Sequence, residues 1–339
     1  MLSPETETVT QARARIGQYI RRTPLLRSAL LESWLGHEIW FKAECFQRIG
    51  AFKARGAMNA VVALEERGER PAEIVTVSSG NHAQAVAWAG RERGIPVTVF
   101  LPASSSPIKR QAAESYGARI VLTKTRQDAE AAANERASRG AYLLHPYDDD
   151  LVIAGQGTAC LEALQEVRPT AVFAPCGGGG LLSGTRLAVE RLAPGTPVFA
   201  GEPALADDAA RSYRSGAIVS LADTPLTIAD GVRTLAVSER TFAYLKTLAG
   251  FFEVSEEDIL YWTQWLTHLL KCVLEPTSAV AMAAAAQWLA GQRSKQRVLV
   301  ILSGGNIAPE TQREIWATSR LDRLPGTPSA TGTRSPPVR

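Results

Sequence analysis

The sequence predicts an α/β protein built on two mostly parallel β-sheets covered by helices, and three observations carry this. From Glu73 onward short β-branched runs alternate with helical stretches at the spacing of strand–helix–strand units. The same alternation resumes after Asp148-Asp149-Asp150 and ends in a late apolar strand, VLVILSGG, at 298–305. Glycines stand where helices stop and strands begin, as in Gly94-Ile95-Pro96 and Gly117-Ala118.

Taken in order, strand EIVTVSS (73–79), a helix near 83–93, strand PVTVFLP (96–102), a helix near 108–116, strand RIVLTK (119–124), a helix near 127–139 and strand AYLLHP (141–146) make a compact parallel lobe. Strands AVFAPCG (171–177), PVFAGEP (197–203) and VLVILSGG, with a helix near 181–192, belong to a second sheet. Helices near 8–20 and 52–66 pack on that larger sheet, so the first lobe reads as inserted. The expected division is 1–70 with 149–322 as the large domain and 71–148 as the small one. Beyond these, 323–339 is rich in Pro, Ser, Thr and Gly and is expected to be a disordered tail. No repeat at solenoid periods is present.

With 37 Lys+Arg against 34 Asp+Glu in 339 residues, the net charge of +3 is too balanced for a nucleic-acid or membrane-surface binder. A 45% hydrophobic, 21% charged composition is that of a globular enzyme. Cys45, Cys160, Cys176 and Cys272 are far apart and include no CxxC pair, which disfavours a disulfide framework or zinc cluster. The first residues lack an apolar run, and the apolar stretch 279–286 is mostly alanine and too short to span a bilayer. A cytoplasmic protein is the expectation.

Five segments can carry chemistry. Cys176 and the glycines Gly177, Gly178, Gly179 and Gly180 follow a strand and open a helix at Leu181, so backbone amides and the positive helix end can meet a phosphate. It is neither a dinucleotide fingerprint, whose third glycine would fall on Leu182, nor a P-loop; a plain tight turn is equally compatible. Lys53 lies among small residues beside Phe52 at a helix start, where desolvation and the helix end would expose a nucleophilic amine; a solvated surface lysine is the plainer alternative. Ser78-Ser79-Gly80-Asn81-His82 ends a strand at the edge where open α/β sheets bind ligands, although Ser79 or Asn81 could simply cap the helix. Ser303-Gly304-Gly305-Asn306 ends another strand in the same way. The segment Glu202-Pro203-Ala204-Leu205-Ala206-Asp207-Asp208, which follows a strand, can present two carboxylates and a carbonyl to a hard cation, or only complement a helix dipole.

Together these segments resemble the fold-type II pyridoxal phosphate enzymes, with a tryptophan synthase β-like fold, in the serine/threonine dehydratase and serine racemase branch. The matches run in order through Arg22-Thr23-Pro24-Leu25, Phe41-Lys42-Ala43-Glu44, the segment 50–57, Ser78 to His82, Ala154-Gly155-Gln156-Gly157-Thr158, the tetraglycine, Glu202 to Asp208, Asp230-Gly231-Val232, Glu275-Pro276 and Ser303 to Asn306. The resemblance implies that Lys53 forms the imine with the cofactor and serves as base, with Phe52 packing by the ring. It implies that Asn81 bonds the ring 3-oxygen, that the amides of Gly177, Gly178, Gly179, Gly180 and Leu181 hold the phosphate, and that Ser303 bonds the pyridine nitrogen. A neutral hydroxyl there implies a largely unprotonated nitrogen.

By the same resemblance Ser78, Ser79, Asn81 and His82 line the substrate carboxylate site, Arg126 and Thr234 reach the substrate, and Glu202, the Ala206 carbonyl and Asp208 bind Mg²⁺, Ca²⁺ or Mn²⁺. The implied activity is a dehydratase that converts a small β-hydroxy amino acid of the L-threonine or L-serine type to a 2-oxo acid and ammonia. Serine racemase and threo-3-hydroxyaspartate dehydratase are the alternatives: Ser79 retains the hydroxyl that racemases use on the far face of the α-carbon, whereas Tyr147 replaces an asparagine found in some of them. Ala51 stands where many members have serine. A homodimer is implied, with no regulatory domain, and a catalytically silent binding module is disfavoured by Lys53.

Overall fold

The computed structural model describes residues 8–78, 80–103 and 107–327. The chain enters through α1 (Val9–Ile16), β1 (Leu25–Leu26), α2 (Ala29–Leu35), β2 (Glu38–Ala43) and α3 (Lys53–Glu66). The next strands are β3 (Ile74–Val77), β4 (Val97–Pro102), β5 (Arg119–Thr123) and β6 (Tyr142–Leu143), joined by α4 (Asn81–Arg93), α5 (Pro107–Ser115) and α6 (Arg126–Ser138). They form a four-stranded parallel sheet in the order β5-β4-β3-β6.

After α7 (Asp150–Leu164) come β7 (Ala171–Pro175), α8 (Gly180–Leu192), β8 (Val198–Pro203), α9 (Asp208–Ser215), α10 (Glu239–Leu245) and β9 (Gly250–Val254). The described chain closes with α11 (Glu256–Leu270), α12 (Pro276–Leu289), β10 (Arg297–Leu302) and α13 (Pro309–Trp316). The second sheet runs β1-β2-β10-β7-β8-β9, with β1 its antiparallel edge. This is the α/β architecture of two mostly parallel sheets that the strand–helix alternation predicts. Strands β2 and β9 carry charges within their runs, EIWFKA and GFFEV, which conceal them from an apolar-run reading.

Helix α7 is buried on every side from Leu151 to Leu164, so its mostly apolar sequence shows no polar face, and its few polar residues, Gln156, Thr158 and Glu162, are buried with the rest. Gly157 and Gly184 let the backbones of α7 and α8 touch, and a side chain at either position would strike the other helix. Within this packing lies a buried ion cluster. Arg55 donates from Nε to Glu44 at 2.7 Å and from Nη2 to Glu162 at 2.9 Å, and Lys42 Nζ donates to Glu162 at 2.8 Å. These side chains are all but inaccessible, so the cluster ties β2, α3 and α7 together by charge-assisted bonds.

Part of the expected tail is held in place. The Tyr261 hydroxyl and the Trp265 indole N–H both donate to the Arg323 carbonyl, at 3.0 and 3.1 Å, and Pro325 is buried. The disordered segment read from composition therefore cannot begin at Arg323, because aromatic donors on α11 capture its backbone; 328–339 lies outside the described residues. Among the described residues no helix is long and apolar enough to cross a membrane.

Candidate active site

The candidate site forms between the two sheets, at the carboxyl ends of parallel strands β3, β7 and β10, the edge where open α/β sheets bind ligands. Lys53 is the first residue of α3. The turn before it is tied to the end of β10: Ala51 bridges Gly304, the Phe52 amide donates to the Ser303 carbonyl at 3.0 Å and the Gly305 amide to that of Gly50 at 2.9 Å. The amine lies deep in the protein although its side chain is only partly covered. Desolvation lowers its pKa to about 7, with the charge of Glu275 opposing. Its Nζ donates to the Pro146 carbonyl at 2.7 Å and sits 5.1 Å from the centre of the Phe52 ring.

The glycine loop lies beside it. Gly179, at φ +85°, is the N-cap of α8, and the first helical bond runs from the Ser183 amide to the Gly179 carbonyl at 2.8 Å. The preceding amides have no intrahelical acceptor and no capping side chain, which leaves them for an anion. A methyl group on Gly178 would collide with the Tyr147 ring, and one on Gly180 would lie 2.6 Å from Gln156 Oε1. Gln156 Nε2 donates to the Pro146 carbonyl at 3.2 Å, so one carbonyl oxygen joins Lys53 to the rim of the loop. Gln156 Oε1 and the Thr185 hydroxyl are buried there without a partner.

A third group completes the floor. Ser303 Oγ donates to Glu275 Oε1 at 2.9 Å, Asn81 Nδ2 donates to Glu275 Oε2 at 2.9 Å, and Asn306 Nδ2 donates to Asn81 Oδ1 at 2.8 Å. Asn81 is thus no helix cap; Gly80 occupies that position. The Ser78 hydroxyl accepts from the Gly80 amide at 3.2 Å, and Ser79 lies outside the described residues.

His82 is buried and donates from Nε2 to the Leu144 carbonyl at 3.0 Å, leaving Nδ1 unpartnered. Burial and the Lys53 charge hold it well below the usual histidine pKa, so it is a neutral ring with a bare acceptor. Thr234 Oγ1 is likewise buried and unpartnered. Arg126 opens α6, half out in solvent, and pairs with Glu130 at 3.0 Å one turn along.

A model of the family described as pyridoxal-phosphate dependent enzyme matches residues 16–304. The chain belongs to this family. Its sequence is 41% identical to L-threo-3-hydroxyaspartate ammonia-lyase of Saccharomyces cerevisiae, over 91% of this chain and 94% of that one. It is 38% identical to serine racemase of Schizosaccharomyces pombe, over 91% and 95%. Among solved structures it resembles the threonine deaminase of T.th., with 44% identity, a TM-score of 0.83 and coverage of 88% of this chain and 97% of that one.

For a pyridoxal-phosphate dependent enzyme the donor set fits the cofactor: a desolvated amine, a glycine cradle that side chains would fill, and orphaned polar groups at its rim. The acidic segment fits a cation less completely. Among the described residues no three His, Cys, Asp or Glu side chains converge as metal ligands. Glu202 is fully buried and accepts from the Ala209 and Ala210 amides at 3.2 and 2.8 Å. Asp208 is equally buried, and neither of its carboxylate oxygens has a partner. Burial pushes Asp208 up to about 7 and Glu202 well above the usual range, the latter helped by the charge of Asp208. The Ala206 amide donates to the Pro203 carbonyl at 2.8 Å, turning the chain between the two acids. The positive charge of Arg211 acts on Asp208 and that of Arg214 on Glu202, but neither arginine forms an ion pair with them. Two such carboxylates fit a divalent ion completed by carbonyls.

Two further residues of this enzyme's site have no role in the sequence reading, which includes Glu275 only as part of the matching Glu275-Pro276 pair and His145 only as part of a strand. Glu275 precedes the Pro at the start of α12 and reads as an N-cap, yet it makes no capping bond and turns into the site. His145 ends the β6 segment, its Nδ1 accepting from the Asp148 amide at 2.8 Å and its ring edge-on to Tyr147 at 4.6 Å. Its place at the carboxyl end of a strand was the available signal.

Proposed function

We propose that this protein is an ammonia-lyase that eliminates water from a small β-hydroxy amino acid, with threo-3-hydroxyaspartate as preferred substrate and an oxo acid and ammonia as products. The observation that carries the chemistry is the Lys53 amine, desolvated and anchored on the carbonyl that also holds the rim of the glycine loop. The ammonia-lyase at 41% identity supports the substrate.

Pyridoxal phosphate supplies an aldehyde that joins an amine and a ring that takes up the electrons left when a Cα proton departs. The chain does the rest. With the cofactor bound, amides of 177–181 would hold the phosphate at the start of α8, Asn81 would bond the 3-oxygen, and Ser303 would bond the pyridine nitrogen. Lys53 Nζ, uncharged above about pH 7, is the nucleophile toward the aldehyde and the base that takes the Cα proton. Ser78, Ser79 and the neutral His82 surround the substrate carboxylate, and Tyr147, packed over Gly178, excludes water from the loop. Arg126 and Thr234 are the groups we assign to the substrate's far end.

Purified protein incubated with L-threo-3-hydroxyaspartate, L-threonine and L-serine tests the reading: oxaloacetate formation should outpace 2-oxobutyrate and pyruvate. Faster formation of D-serine than of any oxo acid overturns it in favour of a racemase.

Cofactor capture by apoprotein, followed by visible absorbance, should accelerate as pH rises through about 7 and then level, because the neutral amine is the reactive form. Arg126→Ala should raise KM for hydroxyaspartate about 10-fold while altering KM for threonine little, since only the former has a second carboxylate; that ratio corresponds to about 1.4 kcal/mol. Mg²⁺, Ca²⁺ or Mn²⁺ is expected to bind at Glu202, the Ala206 carbonyl and Asp208. Because the folded pKa of Asp208 is raised, its contribution to stability is complete below about pH 4 and is lost as pH rises through about 7. In EDTA, therefore, Tm falls across this window; the cation restores it more at pH 8 than at pH 5, and Asp208→Asn removes the response.

A further inference from the structure

The carbonyl that seats the Lys53 amine belongs to Pro146, in the short bend that joins the small sheet to α7. Both ends of this bend are pinned. Leu144 lies against β3, its amide donating to the Val75 carbonyl and its own carbonyl accepting from Thr76 Oγ1, each at 2.9 Å. Asp149 caps α7, its Oδ1 accepting from the Leu151 and Val152 amides at 2.8 and 3.2 Å. Between them the acceptor is an imidazole: His145 Nδ1 takes the Asp148 amide at 2.8 Å and, more loosely, the Tyr147 amide at 3.4 Å.

A ring nitrogen that accepts backbone N–H groups carries no proton of its own. Burial lowers the pKa of His145 against the charge of Asp148, which favours the neutral ring. The arrangement copies an Asx-turn, in which an Asn or Asp oxygen accepts from an amide two residues on. It holds the N–H end of the Pro146–Tyr147 peptide and so aims the carbonyl end inward. Lys53 Nζ donates to that oxygen at 2.7 Å and Gln156 Nε2 at 3.2 Å. Proline has no amide proton with which to anchor the bend itself, so release of the Tyr147 and Asp148 amides would let the peptide plane turn and carry the acceptor away from the amine.

We propose that His145 is a positioning residue for Lys53: its bare Nδ1 fixes the Pro146–Tyr147 peptide, whose carbonyl then holds the free amine beside the glycine loop. This rests on the assignment of Lys53 as the amine that captures the cofactor. The ring makes two separable contacts, the acceptor Nδ1 and the edge that meets Tyr147 at 4.6 Å, and only the first bears on the amine.

Two substitutions divide these contacts. His145→Asn keeps a turn acceptor and discards the ring; His145→Phe keeps a flat ring against Tyr147 and discards the acceptor. Each apoprotein is given pyridoxal phosphate at one pH above the Lys53 midpoint, and covalent capture is read by mass after borohydride reduction. Each is separately titrated with pyridoxine phosphate, which has no aldehyde. His145→Phe should capture pyridoxal phosphate about 10-fold more slowly than wild type, the usual consequence of one lost hydrogen bond, while binding pyridoxine phosphate within about 2-fold of it. His145→Asn should capture at nearly the wild-type rate.

Capture by His145→Phe at the wild-type rate overturns the inference. So does capture by His145→Asn as slow as that by His145→Phe, or an equal weakening of pyridoxine phosphate binding, which would place the effect on the pocket. If His145→Phe does not fold, the imidazole ¹⁵N resonances of wild-type apoprotein decide: the chain has four histidines, and His145→Asn identifies the missing signal. An unprotonated Nδ1 at neutral pH, with near-wild-type capture by His145→Asn, supports the inference; a protonated Nδ1 overturns it. Wild-type protein that binds pyridoxine phosphate yet adds no reduced cofactor at Lys53 overturns instead the assignment on which the inference stands.

Discussion

Lys53→Ala is expected to abolish ammonia release while leaving the fold at least as stable as before. The expected loss is about 10²–10⁴-fold for the proton transfer alone, and the missing nucleophile deepens it. The stability half of the result follows from burial. Desolvation holds the amine at about 7, which means that the folded state disfavours the ammonium that the unfolded chain carries freely. Between about pH 7 and the ordinary lysine range the unfolded state binds more protons, so this residue costs stability that recovers as pH rises. Alanine removes the cost. Two measurements separate this from general damage: Tm of the variant should equal or exceed that of the wild type at pH 7, and borohydride should add the mass of reduced cofactor to the wild type but not to the variant. A variant that retains more than about a tenth of the wild-type turnover would remove Lys53 from the chemistry.

The legibility of this site in the sequence divides along physical lines. The glycine loop and the β3-to-α4 turn were readable because their signals are local: a strand ends, a helix begins, and small or polar residues occupy the join. The same holds for β3, β4 and β5 of the small sheet, whose β-branched residues cluster in short local runs, and for β6, which is apolar. Lys42 and Glu253 obscure β2 and β9, because a charge inside a strand looks like a turn until its partner is known; for Lys42 that partner is Glu162, 120 residues away.

The polar floor of the site was hidden for the same reason. Asn81 and Glu275 are 194 residues apart, and Ser303 and Glu275 belong to different elements of the large sheet and its cover. No local pattern distinguishes an N-cap glutamate from one that reaches into a cleft. The family resemblance placed the residue types in order, but only the hydrogen bonds show that Asn81, Glu275 and Ser303 form one connected unit. The Ala154–Thr158 segment shows the converse: its order matches the family, yet Gly155 and Gly157 serve close helix packing, while Gln156 alone reaches the loop.

Arg55→Ala is expected to cause the largest loss of stability of any substitution near the site, about 3–5 kcal/mol, the usual consequence of removing one partner from a buried ionic group. Arg55 makes bonds to Glu44 from two nitrogens, at 2.7 and 2.9 Å, and to Glu162 from two, at 3.1 and 2.9 Å, with all three side chains at 0% exposure. Alanine leaves two carboxylates in a dry interior with Lys42 as the chief remaining counter-charge, itself held below the usual lysine range by burial.

The pH dependence gives this prediction its sign. In the wild type, burial pushes the Glu162 carboxyl up, but the charge and bonds of Arg55, joined by those of Lys42, outweigh it and hold the group below its usual value. Its contribution is present above the unfolded pKa and lost as pH falls through the folded one. In the variant the guanidinium no longer opposes burial, so protonation relieves the unpaired charge. The destabilisation measured by urea unfolding should therefore be greatest near pH 7 and shrink toward about pH 4.5, the ordinary carboxylate range. Because Arg55 stands one half-turn from Lys53 on α3, the same variant should lose cofactor in parallel with structure, whereas Lys53→Ala loses turnover with the structure intact. A uniform stability loss across that pH range would mean that the cavity left by the guanidinium, and not the stranded carboxylates, is what the fold cannot tolerate.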